Sequence, residues 1–110
     1  MSTQSDHASL ANSLKQRVLD GPGETDVALR RRVAERATGG PPIEPPFDDL
    51  ARQIAEAAYR TTDAHIAAVV TAAGSEKAAF EVIAVAATGA GLLRWQQALN
   101  VLSECDDAPA

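Results

Sequence analysis

Apolar residues recur every three or four positions in several segments of this chain, which is the spacing of one face of an α-helix. Leu10, Leu14 and Val18 mark the first segment, and Leu29 and Val33 mark the second. No run alternates apolar and polar residues for long enough to form a strand. The sequence therefore predicts an all-α bundle of four to five helices, over residues 8–19, 26–37, 47–73 with a kink or restart at 61–62, and 76–103.

The ends of these helices are predicted from capping and turn-forming residues. Thr25, Thr62 and Ser75 are the expected N-caps, because their hydroxyl groups accept hydrogen bonds from free backbone N–H groups of a first turn. Gly74 is the expected C-terminal cap, since glycine adopts the left-handed conformation without strain. Residues 39–46, with four prolines and two glycines, form an extended linker.

These signals divide the chain into four parts. The polar and acidic ends are expected to be disordered, and the linker separates the first two helices from the rest. The parts are a disordered tail at 1–7, N-terminal helices and linker at 8–46, a helical core at 47–104 and a second disordered tail at 105–110.

The last helix carries a stripe of mostly small residues. Small side chains let two helix axes approach closely, so this stripe predicts either a helix contact across a subunit interface or a weak point where the helix bends. Much of the 45% apolar content is alanine and only four residues are aromatic, so the core of one chain should be thin. We therefore expect a homo-oligomer (a dimer, trimer or hexamer). The stripe consists of Phe80, Ile83, Ala84, Ala87, Gly91 and Ala98.

The charge and cysteine content narrow the range of partners. With a net charge of −5, the surface is a poor match for nucleic acid, and the run Arg30–Arg32 is expected to be a solvated face. No stretch of 18 residues lacks charges and no signal sequence opens the chain, so we expect no membrane span and a cytoplasmic location. Cys105 excludes an intramolecular disulfide but leaves an intermolecular one open. The two histidines lie far apart, and no metal site is expected.

From Phe47 to Leu102 the chain resembles the carboxymuconolactone decarboxylase and alkylhydroperoxidase D superfamily. The features that carry the resemblance are Tyr59, Thr62-Asp63, His65, the apolar run 66–70, the turn 73–76, and Phe80-Glu81 opening a long alanine-rich helix. The resemblance aligns the histidine of the family's Cys-x-x-Cys-x-x-x-His motif with His65 and places its cysteines at Ala58 and Thr61. Neither residue forms a thiolate, so peroxide reduction by a thiol pair is excluded. The family's upstream glutamate falls near Pro46, which cannot take a proton.

The histidine that remains supports two interpretations. In a continuous helix, Ala58, Thr61 and His65 would share one face, because they are separated by seven and four residues. His65 beside the hydroxyl group of Thr61 is then a candidate general base. The alternative is a half-exposed helical histidine that hydrogen-bonds a neighbour. Tyr59 is expected at the edge of the core, with its hydroxyl group in water or on a partner.

The last helix holds three further candidates. Glu81 and Trp95 share a face of it, and a carboxylate beside an indole in a cleft would have a raised pKa. The alternative is that Glu81 lies at a polar edge while Trp95 packs in the core or an interface. Arg94 would either anchor a ligand carboxylate or pair with Glu81 or with an acidic residue of a neighbouring subunit.

We therefore expect a non-redox, carboxymuconolactone decarboxylase-like helical protein that self-assembles, has a binding or structural role and uses no cofactor. An adaptor role, with the first helix as a docking arm, is a further hypothesis. The resemblance also implies an alternative, a lactone-acid decarboxylase-type enzyme with His65 as general base. Its residues would be His65, Glu81 and Tyr59 for catalysis, and Arg94, Trp95 and Thr61 for binding a small-molecule acid.

Overall fold

The computed structural model describes residues 3–107, and for residues 3–7, 59, 106 and 107 it describes the backbone alone. Over this range the chain is helical, with no strand, as the sequence predicted. The first two residues and the last three of the expected tails lie outside the described residues. The elements are α1 (Thr3–Asp20), α2 (Val27–Ala37), α3 (Phe47–Ala57), a 3₁₀ turn (Ala58–Arg60), α4 (Asp63–Ala73) and α5 (Glu76–Asp107).

The helix boundaries follow the capping residues in most places. Gly74 ends α4 at φ 99°, and the hydroxyl group of Ser75 accepts the backbone N–H of Ala78 at the start of α5. The hydroxyl group of Thr62 caps α4, as predicted. The N-cap of α2 is Asp26, however, and Thr25 is buried, so the prediction for Thr25 was wrong. The two terminal helices are longer than predicted.

The core forms where α2, α3 and α4 pack against the N-terminal half of α5. Its best buried side chains include Val33, Leu50, Val69, Val82 and Val85. Near Gly89, α2 and α5 approach so closely that a Cβ atom on this glycine would lie 3.3 Å from the carbonyl oxygen of Ala34. α1 packs on α2 and on the C-terminal half of α5. The 32 residues of α5 extend over about 48 Å, so it is the axis of a molecule measuring 55 × 28 × 22 Å.

Arg30 departs from the solvated face expected for the arginine run. Its side chain is buried, with 4% exposed, and Nη1 donates to the carbonyl oxygen of Val18 at 3.0 Å. The aliphatic stem can pack against apolar neighbours, while the guanidinium group meets a carbonyl near the negative C-terminal end of α1. Arg31 remains exposed and pairs with Asp20 at 2.7 Å.

The linker between α2 and α3 is fixed by Asp48. Its carboxylate accepts the backbone N–H of Ile43 at 3.0 Å and the Nε of Arg36 at 2.7 Å. The bond from Ile43 and the charge of Arg36 hold the pKa of Asp48 below its ordinary value, against the effect of desolvation. A segment rich in proline and lacking helical hydrogen bonds is thereby tied to both neighbouring helices.

Candidate functional site

His65 lies in the first turn of α4 and forms a reciprocal cap with Thr62. The backbone N–H of His65 donates to Oγ1 of Thr62 at 3.3 Å, and the backbone N–H of Thr62 donates to Nδ1 of His65 at 3.2 Å. The second bond occupies the lone pair of Nδ1, so in this tautomer the other ring nitrogen carries the proton. His65 therefore satisfies backbone groups at a helix start.

The helix face predicted to carry Ala58, Thr61 and His65 does not form. The prediction that these residues share a face was therefore wrong. Ala58 begins the 3₁₀ turn, Thr61 is extended with ψ 126°, and α4 begins only at Asp63. The threonine cap at the start of α4 competes with a continuous helix, and helical spacing is lost across the break. Oγ1 of Thr61 is buried with no hydrogen-bond partner among the described residues. Tyr59 lies in the 3₁₀ turn, and its side chain lies outside the described residues.

Glu81 connects the start of α5 to the loop between α1 and α2. Its carboxylate accepts the backbone N–H of Glu24 at 2.8 Å, and the backbone N–H and hydroxyl group of Thr25 at 2.9 and 2.8 Å. Burial disfavours the charged form, but these hydrogen bonds outweigh it and hold the pKa of Glu81 below its ordinary value. The raised pKa expected beside Trp95 was therefore wrong. A Cβ on Gly23 would lie 2.3 Å from Oε1, so this contact also requires a glycine.

The candidate residues on α5 do not come together. Glu81 and Trp95 are fourteen residues apart along this continuous helix, which separates them by about 21 Å. Arg94 donates a hydrogen bond to the carbonyl oxygen of Ala55 near the end of α3, and it makes no ion pair with Glu81. The predicted pairing of Arg94 with Glu81 was wrong because the rise of the helix places them about 20 Å apart.

Trp95 lines a groove of about 600 Å³ between α1, α2 and the C-terminal half of α5. Among the predicted site residues whose side chains the structure describes, no other lines this groove. Its walls are mainly apolar, and charged side chains from α1 and α2 lie at its edge. Sequence reasoning missed the groove because it forms between helices that are distant along the chain. The signal that could have suggested it is the set of small residues at 8, 11, 34 and 89 on three different helices.

The second unusual region is the outer surface of α4 and α5. On α5, most of the predicted stripe of small residues faces outward: Phe80 is 70% exposed, and Ala87, Gly91 and Ala98 are exposed, whereas Ile83 is half-buried and packs against the core. The core instead takes the opposite face of α5, through Val82 and its neighbours. We define the outer surface by the half-buried or exposed residues Ala64, Ala67, Ala68, Thr71 and Ala72 of α4 with Phe80, Ala84, Ala87, Gly91, Ala98 and Leu102 of α5.

Two other features bear on the chemistry of the described residues. No group of three or more His, Cys, Asp or Glu residues in this part of the chain could hold a metal ion, and Cys105 is exposed. Among the described helices, one stretch, Glu76–Cys105, is long and apolar enough to cross a membrane, because it contains an 18-residue window with mean hydropathy 1.3. The sequence prediction had excluded any such stretch. A third of the residues in that window are buried within the protein, and core helices of soluble proteins meet the same criterion.

Comparisons with known proteins add no relative. No protein-family model, no curated protein and no solved structure matches this chain. The resemblance to the carboxymuconolactone decarboxylase superfamily therefore stays a prediction.

Proposed function

We propose that this protein is a self-associating helical protein in which the outer surface of α4 and α5 packs against the same surface of a second copy. The observation that supports the proposal is the exposure of these residues, which are uncharged and have Phe80 near one end, while the exposed Arg94 lies along the same face between Gly91 and Ala98. Large exposed apolar patches mark sites of interaction.

The composition of α4 supports this proposal independently. Its sequence, DAHIAAVVTAA, is apolar around most of its circumference, yet Val69 is its only buried residue among those described. A helix that is apolar all round is normally covered on every side. Within one chain α4 is covered on one side, by α3 and α5. A second copy would cover the other.

The geometry suits a two-fold assembly. α4 and α5 are joined by the turn at Gly74–Ser75 and form a helical hairpin. Two such hairpins, packed face to face, would make a four-helix bundle with alanine and glycine at the contacts, where helix axes come closest. A two-fold dimer is the smallest of the predicted assemblies, and in it each copy presents the same residues.

The expected affinity follows from the area of the outer surface. The α5 part extends from Phe80 to Leu102, about 33 Å, and α4 adds about 16 Å. With strips about 10 Å wide, each copy would bury about 500 Å², less than the about 800 Å² per partner of a standard interface. The dimer is therefore expected to depend on concentration, with a dissociation constant in the micromolar range.

A membrane is a less suitable occupant of this surface. With 11 residues, α4 is far shorter than the about 20 residues that span a bilayer, so the hairpin cannot cross as a unit. The carboxylate of Glu81 ties the first turns of α5 to the loop between α1 and α2. A net charge of −5 also disfavours anionic lipid surfaces.

The alternative of a lactone-acid decarboxylase-type enzyme gains no support from the arrangement of its proposed residues. Nδ1 of His65 accepts a backbone hydrogen bond, Glu81 accepts three, and Arg94 is bound to the end of α3. The proposed proton donor Glu81 and anchor Arg94 lie about 20 Å apart along α5.

The proposal is tested by charging the outer surface. Ala87→Glu places a carboxylate at its centre, and Ala28→Glu makes the same change at an exposed position of α2. Sedimentation equilibrium over a range of concentrations should show dimers for the parent chain and for Ala28→Glu, and monomers for Ala87→Glu. A parent chain that is monomeric at all concentrations would refute the proposal. Flotation of the parent chain with neutral phospholipid vesicles would instead identify lipid as the occupant.

A further inference from the structure

The groove between α1, α2 and α5 exists because small residues face one another where three helices meet. α2 and α5 are in close contact at Ala34 and Gly89, and α1 contributes Ala8 and Ala11 to the opposite wall. None of these side chains extends far enough to fill the space between the axes. The resulting volume of about 600 Å³ lies within the range of about 300–1,000 Å³ for small-molecule sites.

The apolar lining comes from larger side chains around this floor. Leu19 lies at one end, and Leu92, Leu99 and the indole of Trp95 line the side formed by α5. An indole and several leucines provide broad, rigid apolar contact, which is the usual lining of a pocket for an apolar ligand.

The charge at the edge of the groove selects one kind of polar group. Lys15 and Arg31 contribute two positive charges, and Glu35 contributes one negative charge. Arg31 is held by Asp20, whereas Lys15 makes no ion pair with any described residue. Asp20 balances the charge of Arg31 and Glu35 adds one negative charge, so the groove as a whole is not positive; the ammonium group of Lys15 is the cation left available to an anion.

We propose that this groove binds an apolar molecule ending in one carboxylate, with the hydrocarbon part against Trp95 and the leucines and the carboxylate beside Lys15. The site goes beyond the proposed self-association, because its lining and the outer surface of α4 and α5 have no residue in common. It also differs from the acid-binding site expected from the sequence, since of the residues predicted to bind substrate only Trp95 lines it.

The test uses decanoate as the probe and decanol as its uncharged counterpart. Trp95 is the one tryptophan of the chain and lines the groove, so its fluorescence reports occupancy directly. Decanoate should change this emission in a saturable way, and decanol should bind up to about fivefold more weakly, because it cannot pair with the exposed ammonium group of Lys15.

Charge and volume are then changed separately. Lys15→Gln should reduce the affinity for decanoate by up to about fivefold and leave that for decanol unchanged. Lys77→Gln, which removes the chain's other lysine at an exposed position outside the groove, should change neither. Ala11→Phe should fill the groove and abolish the response to both probes, while urea unfolding verifies that this variant is folded.

Several outcomes would overturn the proposal. They are the absence of a saturable fluorescence change in the parent chain, equal effects of Lys15→Gln and Lys77→Gln, and full binding by a folded Ala11→Phe variant. Displacement of a second copy by decanoate would also overturn it, because the groove would then belong to the interface. The Ala87→Glu variant separates the two proposals, since it should bind decanoate normally whether or not the parent chain forms dimers.

Discussion

Replacing Phe80 with alanine should weaken self-association without unfolding the chain. In the single chain 70% of Phe80 is exposed, so its removal takes little from the core. Fully burying a phenylalanine side chain contributes about 1.5–3 kcal/mol, so covering the exposed 70% would contribute about 1–2 kcal/mol. A two-fold dimer contains the residue twice, so the substitution should weaken dimerisation by about 2–4 kcal/mol. The dissociation constant should then rise about 30- to 700-fold.

The measurement is sedimentation equilibrium on the parent chain and on Phe80→Ala, with urea unfolding at a concentration where monomer dominates. Leu10→Ala is the matched control, because Leu10 is 68% exposed but lies on α1 and is not among the residues that define the outer surface. The dissociation constant should rise for Phe80→Ala alone. The urea midpoints of the two monomeric variants should stay close to that of the monomeric parent chain. An unchanged constant for Phe80→Ala would show that this surface is not the interface. Equal effects of the two variants would show that exposed apolar area associates without specificity.

Two further predictions concern the contacts that hold the helices in place. Glu81→Gln should lower the free energy of unfolding by about 1–3 kcal/mol in urea titrations at neutral pH, because the amide cannot accept all three hydrogen bonds. Since the folded-state pKa of Glu81 lies below its ordinary value of 4.5, its contribution should be present above that value and lost as the pH falls through the lowered pKa, so the variant and parent curves should converge in acid. Thr62→Ala should cost about 1 kcal/mol by removing the cap of α4, and a Thr62→Ser variant that is equally destabilised would contradict this reasoning.

The sequence was sufficient to predict elements whose ends depend on local chemistry. Thr62, Gly74 and Ser75 each act on backbone groups within four residues, so their effects can be inferred from their order in the chain. The break at residues 61–62 and the turn between α4 and α5 were therefore predicted correctly. Thr25 was the exception, because its hydroxyl group donates to Glu81, 56 residues away, and sequence gives no signal for such a partner.

Which face of α5 enters the core could not be determined from its pattern. The helix is apolar on nearly all sides, because alanine and glycine occupy the stripe from Phe80 to Ala98 as well as much of the opposite face. The structure buries the face that carries Val82 and Val85, whose branched side chains fill the space beside Leu50 better than alanine would. An alanine-rich sequence therefore predicts clearly that a helix forms, but it predicts poorly which face of that helix enters the core.

A helical pattern alone also does not determine how residues 58–65 are placed relative to one another, which a prediction of catalysis requires. The aligned positions Ala58, Thr61 and His65 would converge only if one helix ran through all three, and helical spacing was the only reason to expect this. Thr62 ends that continuity, since its extended backbone and capping hydroxyl group begin a new helix. The cap also uses Nδ1 of His65, which accepts the backbone N–H of Thr62. The structure therefore shows His65 as part of a helix cap, and the catalytic role that the resemblance implies stays a prediction.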